Sequence, residues 1–376
     1  MSDWLSAEQA MDRLGIKPQT LYAYVSRGRV YTEPVPGDPR RSRYRASDIA
    51  KLGHRKARGR KAAHIAADAM AWGEPVLDSA ITQVRDGRLY YRGQDAVALA
   101  RTETFEAVAR LLRGGQGLSA RSLDRPLAPT DTHLRTRLFT ALAWRAGEVS
   151  DDGWTGDANE AATMLDILTD AVVGDRHGGA IHERLGWAWR CGPKGCDLIR
   201  RSLVLLADHE LNASTFSARV AASTGASLAA CAMAGLAALS GPRHGGAPAH
   251  VRLLAARAER LDPKEETAAR LIHWHKPPGF GHPLYPDGDP RAQALLLDFK
   301  PSPALESFGA AGEAATGEAA NIDFAVAALT EALDLPDDAP FALFAVARCA
   351  GWMAHALEQS ATGAIIRPRA RYVGVV

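Results

Sequence analysis

The chain has 376 residues, of which 47% are hydrophobic and 23% are charged, and its formal net charge is +2. This length exceeds a typical small domain, and the composition favours a soluble globular protein of two or three domains over a fibrous or disordered chain. The opening MSDWLSAEQAMDRLG lacks the basic start and apolar core of a secretory signal, so we expect a cytoplasmic protein. The four cysteines do not form a metal-ligand set, and we predict free thiols and no metal.

The charge is unevenly distributed along the chain. Residues 1–63 carry 14 Lys and Arg against 6 Asp and Glu, a balance of +8, whereas the remainder carries 31 against 37, a balance of −6. A basic amino-terminal part on an acidic body indicates two units with different partners, and we predict a boundary after residue 62.

The amino-terminal unit is predicted to contain two helices joined by a tight turn. Ser6 and Gln9 form a capping-box pattern at the start of the first helix. Pro18 lies in the first turn of the second helix, whose apolar stripe includes Leu21, Tyr22 and Val25. Two helices separated by a short glycine turn are typical of a helix-turn-helix DNA-binding unit.

This pattern resembles the winged helix-turn-helix of MerR and excisionase-type domains over about 50 residues. Arginines of YTEPVPGDPRRSRYRASDIAKL would face phosphates from a hairpin or wing, and Ser47 would cap a third short helix. Basic charge of this kind supplies salt-sensitive binding without sequence readout. The candidate DNA-binding residues are Lys17, Gln19, Tyr22, Arg27, Arg40, Arg41 and Arg43.

A long uncharged stretch lies between Arg219 and Arg243, where 23 residues carry no charge. A bilayer span needs about 20 apolar residues. Most side chains here are Ala, Gly, Ser or Thr, however, and small residues favour close packing between helices. We therefore predict a buried helix, in a helical core or at a subunit interface, and no membrane contact.

The body that follows has alanine-rich helical periodicity, which predicts a mainly α, all-helical fold. In TFEAVARLLRGG, Thr104 caps a helix with one apolar face and the glycines end it. RLYYRGQD, residues 88–95, is a short exception that predicts a strand pair or a turn. The body contains no GxGxxG or P-loop pattern, which argues against a nucleotide-binding fold.

Six segments of the body carry residues suited to catalysis or to anion binding. In GPRHGGA, glycines on both sides of His244 predict a tight loop that presents the histidine to a bulky ligand. Taken singly, such residues are often helix caps, buried structural histidines or salt-bridge partners. The other segments are HELNASTFSARV from His209, PPGFGHPLYPDGDPRA with His282 and Arg291, ANIDF with Asp323, ARCAGWMAHALEQ with Arg348, and IIRPRARYVG with Arg367.

Taken in chain order, the six segments resemble citrate synthase. RLYYRGQDAVALA and TFEAVARLLRGG resemble the opening segments of the same family. The resemblance covers about residues 74–376 within a body of residues 63–376. It implies an all-helical homodimer in which a large domain and a smaller mobile domain, about residues 245–330, close over the substrates. It also implies condensation of acetyl-CoA with oxaloacetate to citrate and CoA, without a further cofactor.

The resemblance also implies a role for each residue. Asp323 would remove a proton from the acetyl methyl group, His244 would hydrogen-bond the thioester oxygen and His282 would polarise the ketone. The glycines around His244 would then let backbone and imidazole approach the thioester. The oxaloacetate-binding residues would be His209, Arg291, Arg348 and Arg367, the last from the partner subunit.

Two prolines depart from the family pattern. Pro283 and Pro286 stand where many citrate synthases have basic residues, the second of which helps hold CoA phosphates. Lys276 would compensate, and Gly279 and Gly281 complete the candidate CoA-binding set. FAVAAL replaces the usual residues after the base, and a methylene in an acyl pocket is worth only about 1–3 kcal/mol. Acetyl-CoA and propionyl-CoA therefore both stay open as substrates.

Three functional hypotheses follow from these features. The leading one is a citrate synthase, or a 2-methylcitrate synthase, with an appended DNA-binding-like unit. The alternative is a metabolite-sensing DNA-binding regulator, in which substrate binding to the body would reorient paired amino-terminal units on two half-sites. In the third, the amino-terminal unit is only an interaction or dimer-extending module, with Trp4 and Tyr22 packed against the body.

Overall fold

The computed structural model describes residues 4–14, 16–26, 30–35, 37–49, 77–115, 127, 129–148, 158–176, 178–258, 277–370 and 372–374. The chain divides into two compact units, Met1–Asp78 and Ser79–Val376. The domain boundary predicted after residue 62 lies outside the described residues.

The amino-terminal unit combines two helices with a small antiparallel sheet. Ser6 N–H donates to Gln9 Oε1 at 3.0 Å and Gln9 N–H donates to Ser6 Oγ at 3.2 Å, which confirms the predicted capping box. The strands lie in the order β1–β3–β2. The elements are β1 (Trp4–Leu5), α1 (Ala7–Leu14), α2 (Pro18–Ser26), β2 (Thr32–Val35) and β3 (Asp38–Arg45).

The core of this unit corrects the predicted buried stripe of α2. Tyr22 is 62% exposed, whereas Leu21 is 1% exposed. The inner face of α2 continues from Leu21 to the half-buried Tyr24 and Val25, which lie about one turn further along. The helical residues after β3 begin at residue 46, so Ser47 lies inside that helix rather than before it. The buried core consists of Leu5, Ala10, Leu14, Leu21, Val30, Tyr44 and Ile49.

The described part of the body begins with a second small antiparallel sheet, in the order β4–β5–β6. Its strands are β4 (Thr82–Arg85), β5 (Arg88–Tyr91) and β6 (Gln94–Asp95), so the strand interpretation of residues 88–95 is confirmed. Asp86 and Gly87 join β4 to β5 with φ of 51° and 68°, as a two-residue hairpin turn requires.

The rest of the described body is helical, as the alanine-rich periodicity predicts. Thr104 Oγ1 accepts the backbone N–H of Ala107 at 3.2 Å, which confirms its predicted cap. The helices are α3 (Ala96–Thr102), α4 (Phe105–Leu112), α5 (Leu134–Gly147), α6 (Ala158–Val173), α7 (Ile181–Ala188), α8 (Pro193–Leu206), α9 (Ala213–Ala222), α10 (Leu228–Leu239), α11 (Ala247–Ala258), α12 (Pro290–Leu296), α13 (Pro303–Thr316), α14 (Ile322–Ala332) and α15 (Ala339–Ala361).

Helix α15 lies at the centre of the main hydrophobic core, where α4, α6, α8, α9 and α10 pack around it. Among the described residues, it is the one helix with the length and hydropathy to cross a membrane. However, 94% of its most apolar 18-residue window is buried inside the protein. Burial on all sides is typical of the central helix of a large helical core.

The uncharged stretch between Arg219 and Arg243 is buried as predicted, but it forms two helices rather than one. The carboxyl-terminal part of α9 and all of α10 are separated by a turn in which Gly225 has φ of 80°. Ser227 Oγ then accepts the N–H of Ala230 at 3.2 Å and caps α10. The turn residues STGAS therefore end α9 and separate it from α10, although the run of small side chains is continuous.

A second hydrophobic cluster joins α11, α13 and α14 to the loop that precedes α12. Phe280, in this loop, packs directly on α13, because a Cβ atom at Gly312 would lie only 2.1 Å from its ring. The cluster falls within residues 245–330, the segment for which we predict a smaller mobile domain. Its buried members are Val251, Leu254, Ala255, Ala258, Phe280, Leu305, Phe308, Phe324, Ala327 and Ala328.

Candidate active site

His209 lies in the turn between α8 and α9. Val84 N–H donates to Glu210 Oε1 at 2.8 Å, which fastens this turn to β4. Glu210 has a left-handed φ of 49°, so the chain reverses directly after the histidine. The ring of His209 is buried, and its Nε2 lies 2.8 Å from the hydroxyl oxygen of Tyr285.

His244 lies in the glycine-rich turn between α10 and α11. Gly245 N–H donates to Leu239 O at 2.9 Å. A Cβ atom at Gly245 would lie 2.8 Å from Leu239 O, and one at Gly246 would lie 3.0 Å from Pro242 Cα. The glycines therefore allow the turn to close onto the end of α10. This packing is a reason for them that the sequence did not indicate, while approach to a thioester stays a prediction.

The imidazole of His244 is held by the amino-terminal end of α9. Its Nε2 lies 2.9 Å from Ser214 Oγ, and Trp352 Nε1–H donates to the same oxygen at 3.1 Å. Asn212 Oδ1, which caps α9, lies 2.7 Å from Ser214 Oγ. The serine hydroxyl has a single proton, which it donates to Asn212 Oδ1.

The loop that carries His282 is tied to the segment before α14. Gly281 N–H donates to Ala319 O at 2.8 Å, and Asn321 N–H donates to Gly279 O at 2.8 Å. The side-chain amide of Asn321 also donates to Gly281 O at 3.0 Å. Gly279 and Gly281 have φ of 94° and 60°, a region that other residues rarely adopt. The two glycines proposed for CoA binding therefore also shape this loop.

The rings of His209, His282 and Tyr285 form one aromatic cluster. Their centroids are 4.9 Å apart for the two histidines, 5.6 Å for His209 and Tyr285, and 5.0 Å for His282 and Tyr285. Leu284 N–H donates to His282 Nδ1 at 3.2 Å, so a neutral His282 carries its proton on Nε2. His282 thus holds an N–H donor beside His209.

Arg291 and Asp289 form a buried ion pair at the start of α12. Arg291 Nε and Nη2 donate to the two carboxylate oxygens at 2.9 and 2.8 Å. The same carboxylate accepts the backbone N–H groups of Arg291 and Ile322, each at 3.0 Å, and so joins α12 to α14. The guanidinium carbon lies 5.2 Å from the centroid of the Tyr285 ring. Asp289 therefore fixes a buried positive charge against the aromatic cluster.

Arg348 lies in the middle of α15 and is 2% exposed. Its Nε donates to Leu206 O at 3.0 Å, which places the guanidinium at the end of α8, beside the turn of His209. Burial lowers the pKa of Arg348, whereas the charge of the buried Asp208 raises it. Asp208 is itself buried and hydrogen-bonded to His355, at 3.2 Å.

Asp323 lies in the first turn of α14, where Asn321 caps the helix by accepting the Asp323 N–H at 3.0 Å. Burial raises the pKa of Asp323 from 3.8 to about 7, because the charged form loses solvation. The charges of Arg291 and Arg348 lower this pKa, and that of Asp289 raises it. A carboxyl group with this pKa is suited to accept and release a proton near neutral pH.

Two neighbouring histidines, His209 and His244, are neutral at this pH. Burial lowers the pKa of His209 well below its ordinary value, and the charges of Arg291 and His282 act in the same direction. Burial, followed by the charge of Arg348, lowers the pKa of His244 to about 4. A neutral imidazole donates through only one nitrogen, so the hydrogen-bond partner of the other nitrogen decides which one donates.

The structure thus brings five predicted residues of the body into mutual contact or electrostatic range, namely His209, His282, Arg291, Asp323 and Arg348. His244 joins them through the charge of Arg348. Arg367 lies exposed in the segment after α15, and the described residues show no contact between it and these side chains. Lys276 lies outside the described residues.

The candidate DNA-binding residues belong to the amino-terminal unit. Gln19 and Tyr22 are exposed on α2, Lys17 is exposed directly before this helix, and Arg41 is exposed on β3. Arg43 is half-buried, forms an ion pair with Glu33 and lies 4.8 Å over the Trp4 ring. Arg43 is therefore already engaged within its own sheet. Arg27 and the side chain of Arg40 lie outside the described residues.

Sequence analysis missed Ser214, Tyr285 and Asp289. Asp289 carried a local signal, because Asp-Pro is a typical N-cap and first position of a helix. Ser214 and Tyr285 carried none, since their partners His244 and His209 are 30 and 76 residues away along the chain.

The structure also bears on metal binding and on the state of the cysteines. Within the described residues no group of three or more His, Cys, Asp and Glu side chains could hold a metal ion. All four cysteines are free thiols, as predicted, although only Cys231 and Cys349 are fully buried.

Comparisons with known proteins identify the family. The C-terminal domain of citrate synthase matches residues 171–369. The citrate synthase of Mycolicibacterium smegmatis is 30% identical over 335 residues, which cover 76% of this chain and 89% of that protein. The 2-methylcitrate synthase of Shewanella oneidensis is 29% identical over 335 residues, with the same shares of 76% and 89%. The chain belongs to the citrate synthase family.

The fold agrees with this assignment. The crystal structure of citrate synthase from Thermotoga maritima superposes with a TM-score of 0.66 at 25% identity, over 81% of this chain and 94% of that chain. The putative citrate synthase 2 of Mycobacterium tuberculosis is 37% identical over 201 residues, which cover 50% of this chain and 54% of that protein. This chain thus spans about half the length of the curated relatives that it matches first. The mainly helical citrate synthase fold is confirmed for the body.

Proposed function

We propose that the body condenses oxaloacetate with a short acyl-CoA to give citrate, or its methyl homologue, and free CoA. The observation that carries this proposal is the carboxyl group of Asp323. Burial raises its pKa to about 7, and it lies in electrostatic range of two buried arginines whose charges also act on the neutral His209. Removing a proton next to a thioester needs such a base, and a dianionic keto acid needs such cations.

The geometry supports a distinct role for each polar group. Asp323 takes a proton from the carbon next to the thioester, and the resulting enolate carbon forms a bond to the ketone carbon of oxaloacetate. His282 donates its Nε2–H to the ketone oxygen, where the new hydroxyl group forms. Water then cleaves the thioester and releases CoA. No cofactor beyond the acyl-CoA substrate takes part.

His244 is assigned to the thioester oxygen, which sets a requirement on Ser214. If the Ser214 hydroxyl donates to His244 Nε2, the neutral ring carries its proton on Nδ1 and can donate it to the developing oxyanion. The second acceptor near Ser214 is Asn212 Oδ1, which already receives two backbone N–H groups of α9. In the structure the Ser214 hydroxyl donates to this oxygen at 2.7 Å, so our proposal requires the hydroxyl to turn its proton from Asn212 to His244 when acyl-CoA binds.

We assign the oxaloacetate carboxylates to Arg348, Arg291 and His209, with Arg367 supplied by the partner subunit of a homodimer. Arg367 lies exposed beyond α15, as a residue that completes a neighbouring site should. The start of its segment is anchored, because Gln359 Nε2 donates to Ala364 O at 2.9 Å. An Arg367→Ala protein mixed with an inactive Asp323→Ala protein should therefore recover activity in mixed dimers.

The identity of the acyl group is decided by assay. The family relatives include a citrate synthase at 30% identity and a 2-methylcitrate synthase at 29% identity, which favour neither substrate. Release of CoA thiol from acetyl-CoA or propionyl-CoA in the presence of oxaloacetate measures both reactions. The substrate with the higher kcat/KM names the enzyme.

Two variants and one control test the mechanism. Asp323→Ala and His244→Ala should each lower kcat by about 10²–10⁴-fold, the usual contribution of a base or an oxyanion donor. Asp337→Ala is the matched control, because the Asp337 side chain is 96% exposed. No thiol release with either acyl-CoA from folded wild-type protein would refute the proposed activity.

We further propose that the amino-terminal unit is a winged helix-turn-helix that binds DNA phosphates. Its support is the arrangement of α2, which buries Leu21 in the core and exposes Gln19 and Tyr22, with the exposed Lys17 directly before the helix. Of the described wing arginines, Arg41 is exposed, whereas Arg43 is paired with Glu33. Phosphate contacts therefore come from Lys17 and Arg41 rather than from Arg43.

Salt-dependent binding of duplex DNA by the whole protein tests this second proposal. Lys17→Ala should weaken binding to all sequences alike and reduce the slope of log K against log salt by about 1. Lys194→Ala, at an exposed lysine of the body, should leave the slope unchanged. No binding at low salt would overturn the proposal. Affinity for its own promoter DNA that changes with oxaloacetate would favour the regulator hypothesis, whereas equal, ligand-independent affinity for random DNA would exclude it.

A further inference from the structure

The loop HPLYP, residues 282–286, places two candidate functional groups directly before prolines. His282 precedes Pro283 and Tyr285 precedes Pro286. A following proline restricts the backbone of the residue before it, and proline fixes its own φ. Tyr285 N–H also donates to His282 O at 2.9 Å, so the two rings are held on one tight turn. The prolines that replace basic residues therefore rigidify the turn.

The hydroxyl group of Tyr285 reaches from this turn to His209 on the other side of the site. Tyr285 is 1% exposed, and its oxygen lies 2.8 Å from His209 Nε2. Among the described residues this is the one hydrogen bond shown for the tyrosine hydroxyl. The contact joins the turn before α12 to the turn after α8.

The direction of this hydrogen bond follows from the charges around it. Burial raises the pKa of Tyr285 to about 12, so the phenol keeps its proton at neutral pH, and His209 is neutral. The guanidinium of Arg291, 5.2 Å from the ring centroid and held by Asp289, favours donation from the phenol by withdrawing negative charge. A carboxylate ligand accepts hydrogen bonds only, so the His209 nitrogen that binds it must carry the proton.

We propose that Tyr285 is a positioning residue that donates its hydroxyl proton to His209 Nε2 and thereby holds His209 in the Nδ1–H form that binds oxaloacetate. The inference rests on the proposed function for its ligand, but the state of the His209 ring can be measured without catalysis. It also gives the turn HPLYP a role in binding the keto acid rather than CoA.

The first measurement is a long-range ¹H–¹⁵N spectrum of the whole protein with labelled histidine, which distinguishes a protonated from a bare ring nitrogen. The signals of His209 are identified by their loss in His209→Gln. The wild-type protein should show His209 protonated on Nδ1. A proton on Nε2 would overturn the proposal, whether or not the protein turns out to be an enzyme.

Tyr285→Phe removes the hydroxyl group and keeps the ring. It should move the His209 proton toward Nε2 and raise the Kd for oxaloacetate roughly tenfold, while the KM for acyl-CoA stays within about twofold. Tyr91→Phe is the matched control, since Tyr91 is equally buried but its hydroxyl contacts backbone groups, including Val204 O at 3.0 Å. The control should leave the His209 proton in place. An unchanged His209 spectrum in Tyr285→Phe would overturn the proposal.

Discussion

The raised pKa of Asp323 makes a quantitative prediction for the pH dependence of the reaction. With a pKa of about 7, the carboxyl group is ionised in about one molecule in ten at pH 6 and in nine in ten at pH 8. Initial rates with both substrates well below their KM values should therefore rise roughly tenfold over this range. His244, with a pKa of about 4, does not change its charge between these pH values.

The same shift predicts how Asp323 affects stability. The folded pKa lies above the unfolded value of 3.8, so ionisation is less favourable in the folded protein. The cost is absent below the unfolded pKa, grows as pH rises toward 7 and is then constant. One pKa unit corresponds to 1.36 kcal/mol. The stability advantage of Asp323→Asn over the wild-type protein should therefore grow by about 3 kcal/mol as the pH rises from about 5 to 8.

Two assays check this prediction. Loss of thioester absorbance follows the rate without a thiol reagent whose own ionisation changes, and urea unfolding at several pH values gives the stability difference. Asp337→Asn, at an exposed carboxylate, should show neither effect. A rate that is independent of pH from about 6 to 8, together with a pH-independent stability difference for Asp323→Asn, would refute the reasoning from burial.

Three further predictions concern the supports of the site. Ser214→Ala should lower kcat more than it raises KM, as measured by initial rates. It should also lower the free energy of unfolding by about 1–3 kcal/mol in urea, because Trp352 Nε1–H loses its hydrogen-bond acceptor. Asp289→Asn should lower the free energy of unfolding by about 3–5 kcal/mol, because it leaves the Arg291 charge buried and unpaired. Asp337→Asn, at an exposed carboxylate that pairs with Arg252, should lower it by less than about 1 kcal/mol. Gly279→Ala should cost about 1–3 kcal/mol and lower kcat, since its φ is 94° and the new Cβ would lie 2.8 Å from Val251; a stability equal to wild type would contradict this.

The elements that the sequence predicts well are those with a local cause. The capping box of Ser6 and the cap of Thr104 depend on side chains three residues apart, and both are present in the structure. The break between α9 and α10 also has a local cause, the turn sequence around Gly225, but the continuous small-residue pattern concealed it. The exposure of Tyr22 could not be predicted, because a helical stripe does not indicate how wide the buried face is.

For the candidate site, some residues could be predicted from the sequence and others could not. The resemblance supplied the candidate catalytic and binding residues, but not their hydrogen-bond partners Ser214 and Tyr285. Those groups act over tertiary contacts, as Ser214 does on His244 and Tyr285 on His209, so no spacing in the sequence announces them. Their effect is nevertheless decisive, since a neutral imidazole has one proton and the partner of one nitrogen determines what the other can do.

The placement of these groups also bears on the two proton-dependent steps that we propose. The turn of His282 and the first turn of α14 with Asp323 are one hydrogen-bonded piece, because Asn321 bonds both Gly279 and Gly281. These hydrogen bonds therefore join Asp323 and His282, the base and the ketone donor of our proposal, through one local framework. Arg348 lies on α15, and His209 lies in the turn after α8. The hydrogen bond between Tyr285 and His209 adds a polar contact to the apolar packing of α12 and α14 on the main core, which includes Leu295 and Ile322.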